Sequence, residues 1–198
     1  MQAIQTKSAQ IKMKETIQSL LEFSEESFDR LLKIATEKEV AKHQVLFRPD
    51  KPTNKILFLK EGLLRGYKII NGKDYTHHFY FENWFATDFS SFLNEKPSQI
   101  FIESIEKTSY YEFKKRDLLD LYNKSHQNER LGRIIAEKAF LSTVEKLADL
   151  QLLNLIDKYH ALVSRNPNLF QRVPQKYIAS YLGVSEQSLS RVKKQAFS

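Results

Sequence analysis

The segment from Pro174 to Lys194 constrains this chain more than any other. Pro174 suits a first helical turn, where its missing N–H costs nothing. Ile178, Ala179 and Leu182 then give a short helix a buried stripe, and the small Ala179 lets a neighbour approach closely. Gly183 supplies the positive φ needed to leave that helix in a tight turn. Val184 fills the corner, Ser185 caps a second helix, and Leu189 and Val192 point inward at i and i+3. Glu186, Gln187, Ser188, Arg191 and Lys194 are left on its outer face. The expectation is a helix-turn-helix. A plain helical hairpin is the alternative, but it has no reason to line one face with hydrogen-bonding side chains.

The chemistry of that face points to paired bases. Arg191 can grip guanine O6 and N7, Gln187 can pair with adenine or accept from other base edges, and Glu186 can accept from cytosine N4. Lys176, Ser185, Ser188, Lys193 and Lys194 are the candidates for phosphate contacts that set register. The charge agrees. From Arg165 onward six basic side chains face Glu186 alone, which accounts for five of the chain's seven net positive charges. Charge by itself leaves open a polyanion partner or a merely solvated tail.

At 198 residues, 41% hydrophobic and 28% charged, the chain has the make-up of an ordinary folded protein with one large or two small domains. It contains no Cys, which removes disulfides, thiolate-held iron–sulfur clusters and zinc ribbons. No apolar run approaches the roughly 18–20 residues needed to cross a bilayer, and Met1 to Lys14 lacks a signal-peptide core. A cytoplasmic protein with no membrane partner is expected.

Ser24 before Glu25 and Glu26 is an N-cap signal, followed by the helical stripe Phe28, Leu31, Leu32 and Ala35. Short strands are expected at Val45–Phe47, Ile56–Leu59 and Leu63–Ile70. The Asn71-Gly72 pair marks a hairpin into a strand running from Tyr75 to Phe81. On that strand His77 is read as a packed core imidazole beside Tyr75, Phe79 and Phe81. The adjacent His78 points to the opposite face, so a shared metal ion is not expected. The aromatic residues from Phe79 to Phe92, with Trp84, are read as core. Further strands fall at Ile100–Ile105 and Ser109–Phe113, so residues 40–115 read as an antiparallel β unit and the chain as α+β.

A long helix is expected from Asn128 to about Leu153. Leu131, Ile134, Leu141, Ala148 and Leu152 follow one heptad-like line; Phe140, Val144 and Leu147 form another. One line can pack on the β unit and the other on a second copy of the helix, although packing within one chain is also compatible with the pattern. Lys138 and Glu145 could pair across such a seam or lie at its rim. Asn154 with Asp157 marks a fresh N-cap, so the helix breaks at Leu153–Asn154. The domains expected are 1–123, a helical lead-in and β unit; 124–153, the long helix; and 154–198, the helix-turn-helix.

In this order of elements the chain resembles the cyclic-AMP receptor protein/Fnr family of bacterial transcription regulators, over about residues 25–195. The resemblance rests on Val45-Leu46-Phe47, on Ile56–Leu59 leading into Lys60-Glu61-Gly62, and on Phe85–Phe92. At the other end it rests on Arg172-Val173-Pro174-Gln175, on Ile178-Ala179 with Leu182-Gly183-Val184-Ser185, and on Ser188-Leu189-Ser190-Arg191. It implies a β-roll sensor of the cyclic-nucleotide-binding jelly-roll type, a dimerising helix and a winged helix-turn-helix. The family's base-contact positions fall on Glu186, Gln187 and Arg191. The implied partners are double-stranded DNA, a second copy of the chain and RNA polymerase.

The sensor departs from the family pattern. Cyclic-nucleotide binders of this type carry a Gly-Glu pair and an Arg-Ser pair about ten residues later; here Thr87-Asp88 and Ser98-Gln99 stand in those places. Without that arginine a buried cyclic phosphate has no cationic partner, so tight cyclic-AMP binding is not expected, and no cofactor is expected either. An effector, if the roll takes one, is expected to be small and apolar or planar and to sit against Asp88, Phe89, Ser98 and Gln99. No hydrolase, P-loop or zinc-protease motif is present, so an enzyme is not expected. The alternative function is a sensor or interaction module without DNA-binding activity.

Overall fold

The computed structural model describes residues 2–196. In chain order it comprises α1 (Gln2–Gln18), α2 (Glu25–Lys33), β1 (Ala35–Val40), β2 (Val45–Phe47), β3 (Lys55–Glu61), β4 (Leu64–Ile70), β5 (Lys73–Tyr80) and β6 (Phe85–Ala86). There follow α3 (Phe89–Asn94), β7 (Phe101–Ser104), β8 (Thr108–Lys114), α4 (Lys115–Tyr122) and α5 (His126–Leu152). The C-terminal elements are α6 (Leu155–Arg165), α7 (Leu169–Arg172), α8 (Gln175–Leu182) and α9 (Glu186–Ala196). The chain divides into two compact units. Among the described residues, one holds 2–66 and 79–139; the other holds 67–78 and 140–196.

The strands form two four-stranded sheets, ordered β1-β8-β3-β6 and β2-β7-β4-β5, and only residues 67–78 of β4, β5 and the turn between them fall in the second unit. Side chains of a strand alternate between faces, and the middle of β3 is buried on both, which is why Ile56–Leu59 is an unbroken apolar run. Leu57 and Leu59 join Leu64, Ala86, Ile102 and Tyr110 in one cluster that draws on both sheets. Ile56 and Phe58, one residue out of phase, join Phe85, Tyr111 and Phe113 against a layer of helices. That layer uses Met13 and Ile17 of α1, Phe28 and Leu31 of α2, Leu118 and Leu121 of α4, and Leu131 and Ile135 of α5. Of the aromatics from Phe79 to Phe92, Phe79, Phe85 and Phe92 are buried, whereas Tyr80, Phe81, Trp84 and Phe89 are half-buried.

Two elements depart from the sequence expectation. The amino-terminal segment forms α1, and Ala9, Met13 and Ile17 bury one side of it. Ala35 does not continue the α2 stripe: the helix stops at Lys33, and Ala35 starts β1, which pairs antiparallel with β8 from Ala35↔Phe113 to Val40↔Thr108. The four central residues of β1 are exposed, so backbone pairing rather than side-chain burial holds this strand.

Two buried charges are matched inside the first unit. Arg65, 1% exposed, donates from Nε to Glu103 Oε1 at 3.0 Å, with Nη2 at 2.9 Å. Glu112, 5% exposed, accepts from Lys38 at 2.7 Å and from Lys55 at 3.0 Å. Burial alone would raise the Glu112 carboxyl. Hydrogen bonds and charge from Lys38 and Lys55 outweigh that and hold it below its ordinary value.

In the second unit Asn154 caps α6, accepting from the Asp157 N–H at 3.0 Å, so the long helix breaks where the sequence placed the break. Tyr159 and Leu162 of α6, Leu169 of α7, Ile178, Ala179 and Leu182 of α8, and Leu189 and Val192 of α9 are all buried. The chain between α6 and α8 makes only the short α7, and no strand follows Lys114 among the described residues. The wing implied by the resemblance is therefore not among them.

A depressed carboxyl contributes stability that is complete above its unfolded value, about 4.3 for Glu, and is lost as pH falls through the folded one. Replacing Glu112 by Gln is expected to cost about 1–3 kcal/mol at pH 7. In urea titrations the gap from the wild type should narrow towards pH 3; a gap independent of pH would contradict this role.

Candidate nucleic-acid interface

The second helix of the C-terminal pair is aimed by the turn before it. Gly183 takes φ +71°, its N–H bonds to Ser180 O at 3.2 Å, and the Val184 N–H bonds to Ala179 O at 3.0 Å. These two bonds are the Schellman pattern, which closes α8 and reverses the chain within one residue. Ser185 then caps α9, its Oγ accepting from the Ser188 N–H at 3.1 Å. Gln175 Nε2 donates to Glu186 O at 3.1 Å, tying the start of α8 to the start of α9. Leu189, fully buried, and Val192, 7% exposed, anchor the inner face.

With that face fixed, the opposite one has to point to solvent. Glu186, Gln187 and Arg191 are exposed, as are Lys176, Ser185 and Lys194. Ser188 is half-buried beside Ser185, and Lys193 is half-buried with its ammonium 5.6 Å from the centre of the Phe170 ring. All the residues read as DNA contacts thus gather on α9 and its approach. The result is a ridge that mixes one carboxylate, one amide, hydroxyls and several cations.

Exposed apolar residues lie on the second half of α5. Phe140 is 67% exposed, Leu141 56%, Val144 46%, Leu147 54% and Leu152 80%. Ala148 is half-buried. Leu131 and Ile134, expected on the same line as Leu141, pack instead into the first unit's own core. The two lines read from the sequence therefore give way to a split along the helix: an inner N-terminal half and an exposed apolar C-terminal half.

The four candidate effector residues are only partly brought together. Asp88 caps α3, its Oδ1 accepting from the Ser91 N–H at 3.3 Å, and its Oδ2 accepts from Ser98 Oγ at 2.8 Å. Phe89 packs towards the helix layer and Gln99 is exposed. A hollow in this unit, about 20 Å³, lies among Leu31, Ile56, Phe113, Asn128 and Leu131, on the helix side of the sheet. It is far below the roughly 300–1,000 Å³ of small-molecule sites.

The His77 expectation is corrected. His77 is exposed, whereas His78 is half-buried, and desolvation together with Lys146 and His77 lowers its pKa to about 3. Sequence reading also missed the contribution of residues 67–78, which share a compact unit with the helix-turn-helix.

No family model matches the sequence, and no curated protein does. Solved structures match well. FixK2 from Bradyrhizobium japonicum superposes with a TM-score of 0.68 at 19% identity, covering 82% of this chain and 84% of that one. A putative transcriptional regulator of the Crp/Fnr family from Eubacterium rectale gives 0.68 at 13%, covering 87% and 83%. The c-di-GMP-responsive global regulator CLP of Xanthomonas campestris gives 0.66 at 17%, covering 87% and 91%. The chain has the fold of Crp/Fnr-type regulators, as the order of its elements implied.

Nothing lies within 4 Å of where a Cβ would stand on Gly183, so a substitution there meets only the cost of its left-handed backbone. Gly183→Ala is expected to lower stability by about 1–2 kcal/mol, read by thermal denaturation. An unchanged midpoint would show that the turn does not hold this conformation.

Proposed function

We propose that this chain is a sequence-specific, double-stranded-DNA-binding transcription regulator that acts as a homodimer, with a sensor roll that does not take cyclic AMP. One observation carries the reading: Glu186, Gln187 and Arg191 stand exposed on α9 while Leu189 and Val192 lock its other face inside. A helix presented in this way can lie in the major groove, where each base pair shows a distinct donor and acceptor pattern. Arg191 reads guanine through two parallel hydrogen bonds, Gln187 reads adenine, and Glu186 accepts from cytosine. Lys176, Ser185, Ser188, Lys193 and Lys194 engage phosphates and hold the register.

The exposed face of α5 supports a second copy as partner. Phe140, Leu141, Val144, Leu147 and Leu152 fall within about four turns of one helix, and monomeric proteins rarely leave such a stripe in water. Two copies joined there present two ridges, suited to half-sites about one helical turn apart. RNA polymerase is the downstream partner such a regulator would engage. Asp88 supports a roll that does not take cyclic AMP: its carboxylate occupies the α3 N-terminus and accepts from Ser98, so a phosphate there would meet like charge rather than a cation.

Arg191→Ala is expected to weaken binding to the preferred duplex by about 1–3 kcal/mol and to relax preference at one base pair per half-site, measured by fluorescence anisotropy. Lys194→Ala should instead weaken all duplexes alike and reduce the salt slope by about one unit. Equal weakening of every sequence by Arg191→Ala would make it a phosphate contact. Leu141→Asp with Val144→Asp should turn a dimer into a monomer by light scattering; an unchanged mass would place the partner surface elsewhere.

A further inference from the structure

The end of the β4–β5 hairpin belongs to the same compact unit as the helix-turn-helix, and two side chains account for how it is held there. The first is Ser180 on α8. Its Oγ accepts from the Thr76 N–H at 2.8 Å and donates to Asp74 O at 3.4 Å. Residues 74 and 76 belong to β5, the edge of its sheet, so one hydroxyl supplies the donor and the acceptor that a further strand would offer. The second is Lys146 on α5. Its ammonium donates to His77 O and lies 4.4 Å from the centre of the Tyr181 ring, the residue after Ser180. Lys146 thereby touches three elements at once: α5, β5 and α8. Burial lowers its pKa to about 8, in keeping with an ammonium drawn out of water to reach these partners.

We infer that Ser180 and Lys146 are positioning residues: they latch α8 to the β5 edge and to α5, and so fix the direction of the α9 ridge before DNA arrives. The role rests on the DNA-binding reading above. The latched arrangement is the binding-competent one, because it leaves Glu186, Gln187 and Arg191 exposed. It also leaves an open groove of about 730 Å³ lined by Lys176, Ser185 and Glu186 together with Lys73 and Tyr75 of the hairpin. Helices free to swing would populate that arrangement only part of the time. The observed affinity would fall by the same fraction, although every side chain that meets a base or a phosphate would still be present.

The expected signature therefore differs from that of a residue that touches DNA. In the full chain, Ser180→Ala and Lys146→Met should each weaken binding to the preferred duplex by about 3- to 10-fold. Base preference and salt slope should be unchanged. Hydrogen exchange in the free protein should rise across residues 67–78, and Lys146→Arg, which keeps a donor and a cation for the Tyr181 ring, should recover most of the affinity. Three results would overturn the proposal: exchange at 67–78 unaltered in both variants, faster exchange with affinity equal to or above wild type, or an altered salt slope. Failure of the wild type to bind any duplex would instead refute the DNA-binding reading and the positioning role with it. The exchange measurement would then still decide whether the hairpin is latched.

Discussion

The left-handed turn at Gly183 is the constraint on which the rest of the second unit depends. One residue at φ +71° closes α8, and the next two bring Val184 into the corner and Ser185 onto the α9 cap. Leu189 and Val192 can then be buried only with Arg191, Gln187 and Glu186 facing water, because helical periodicity ties the two sets together. The ridge is thus not a separate feature placed on the fold. It is the far side of a packing decision made at the turn.

The first unit uses alternation in the same way. β3 and β8 each send every second residue between the sheets and the others under the helices, so two cores grow from the same strands. This leaves the ionised groups at Glu112 and Arg65 with partners rather than water. Asp88 and Ser98 are turned towards each other across the start of α3.

Much of this was legible in the sequence, for identifiable reasons. Asn71-Gly72 marked its hairpin, and both residues take positive φ, 51° and 74°. Asn154 marked the break of the long helix, and the Pro174–Lys194 segment carried its own turn chemistry. Other parts were not legible. β1 reads Ala-Thr-Glu-Lys-Glu-Val, and its central side chains are exposed; backbone pairing to β8 and cross-strand ion pairs such as Lys38–Glu112 hold it, and neither leaves an apolar pattern in the sequence. α1 buries Ala9, Met13 and Ile17 but leaves Ile11 half exposed, so its apolar residues do not mark one clean face. The alternation around His77 was read correctly as strand but wrongly as core, because the last residues of β4 and the first of β5 leave the sheet cluster and join the other unit. Leu131 and Leu141 look alike in sequence, yet one is buried and the other exposed. Which stretch of a long helix meets its own domain is set by tertiary structure, not by the heptad.

Selection of duplexes from a random pool by the purified protein, at physiological salt, tests the central claim most directly. The account expects enrichment of a two-fold symmetric motif whose half-sites lie about 10 base pairs apart, centre to centre. A pool that stays random after repeated rounds, or enrichment that vanishes once non-specific competitor is added, would contradict it.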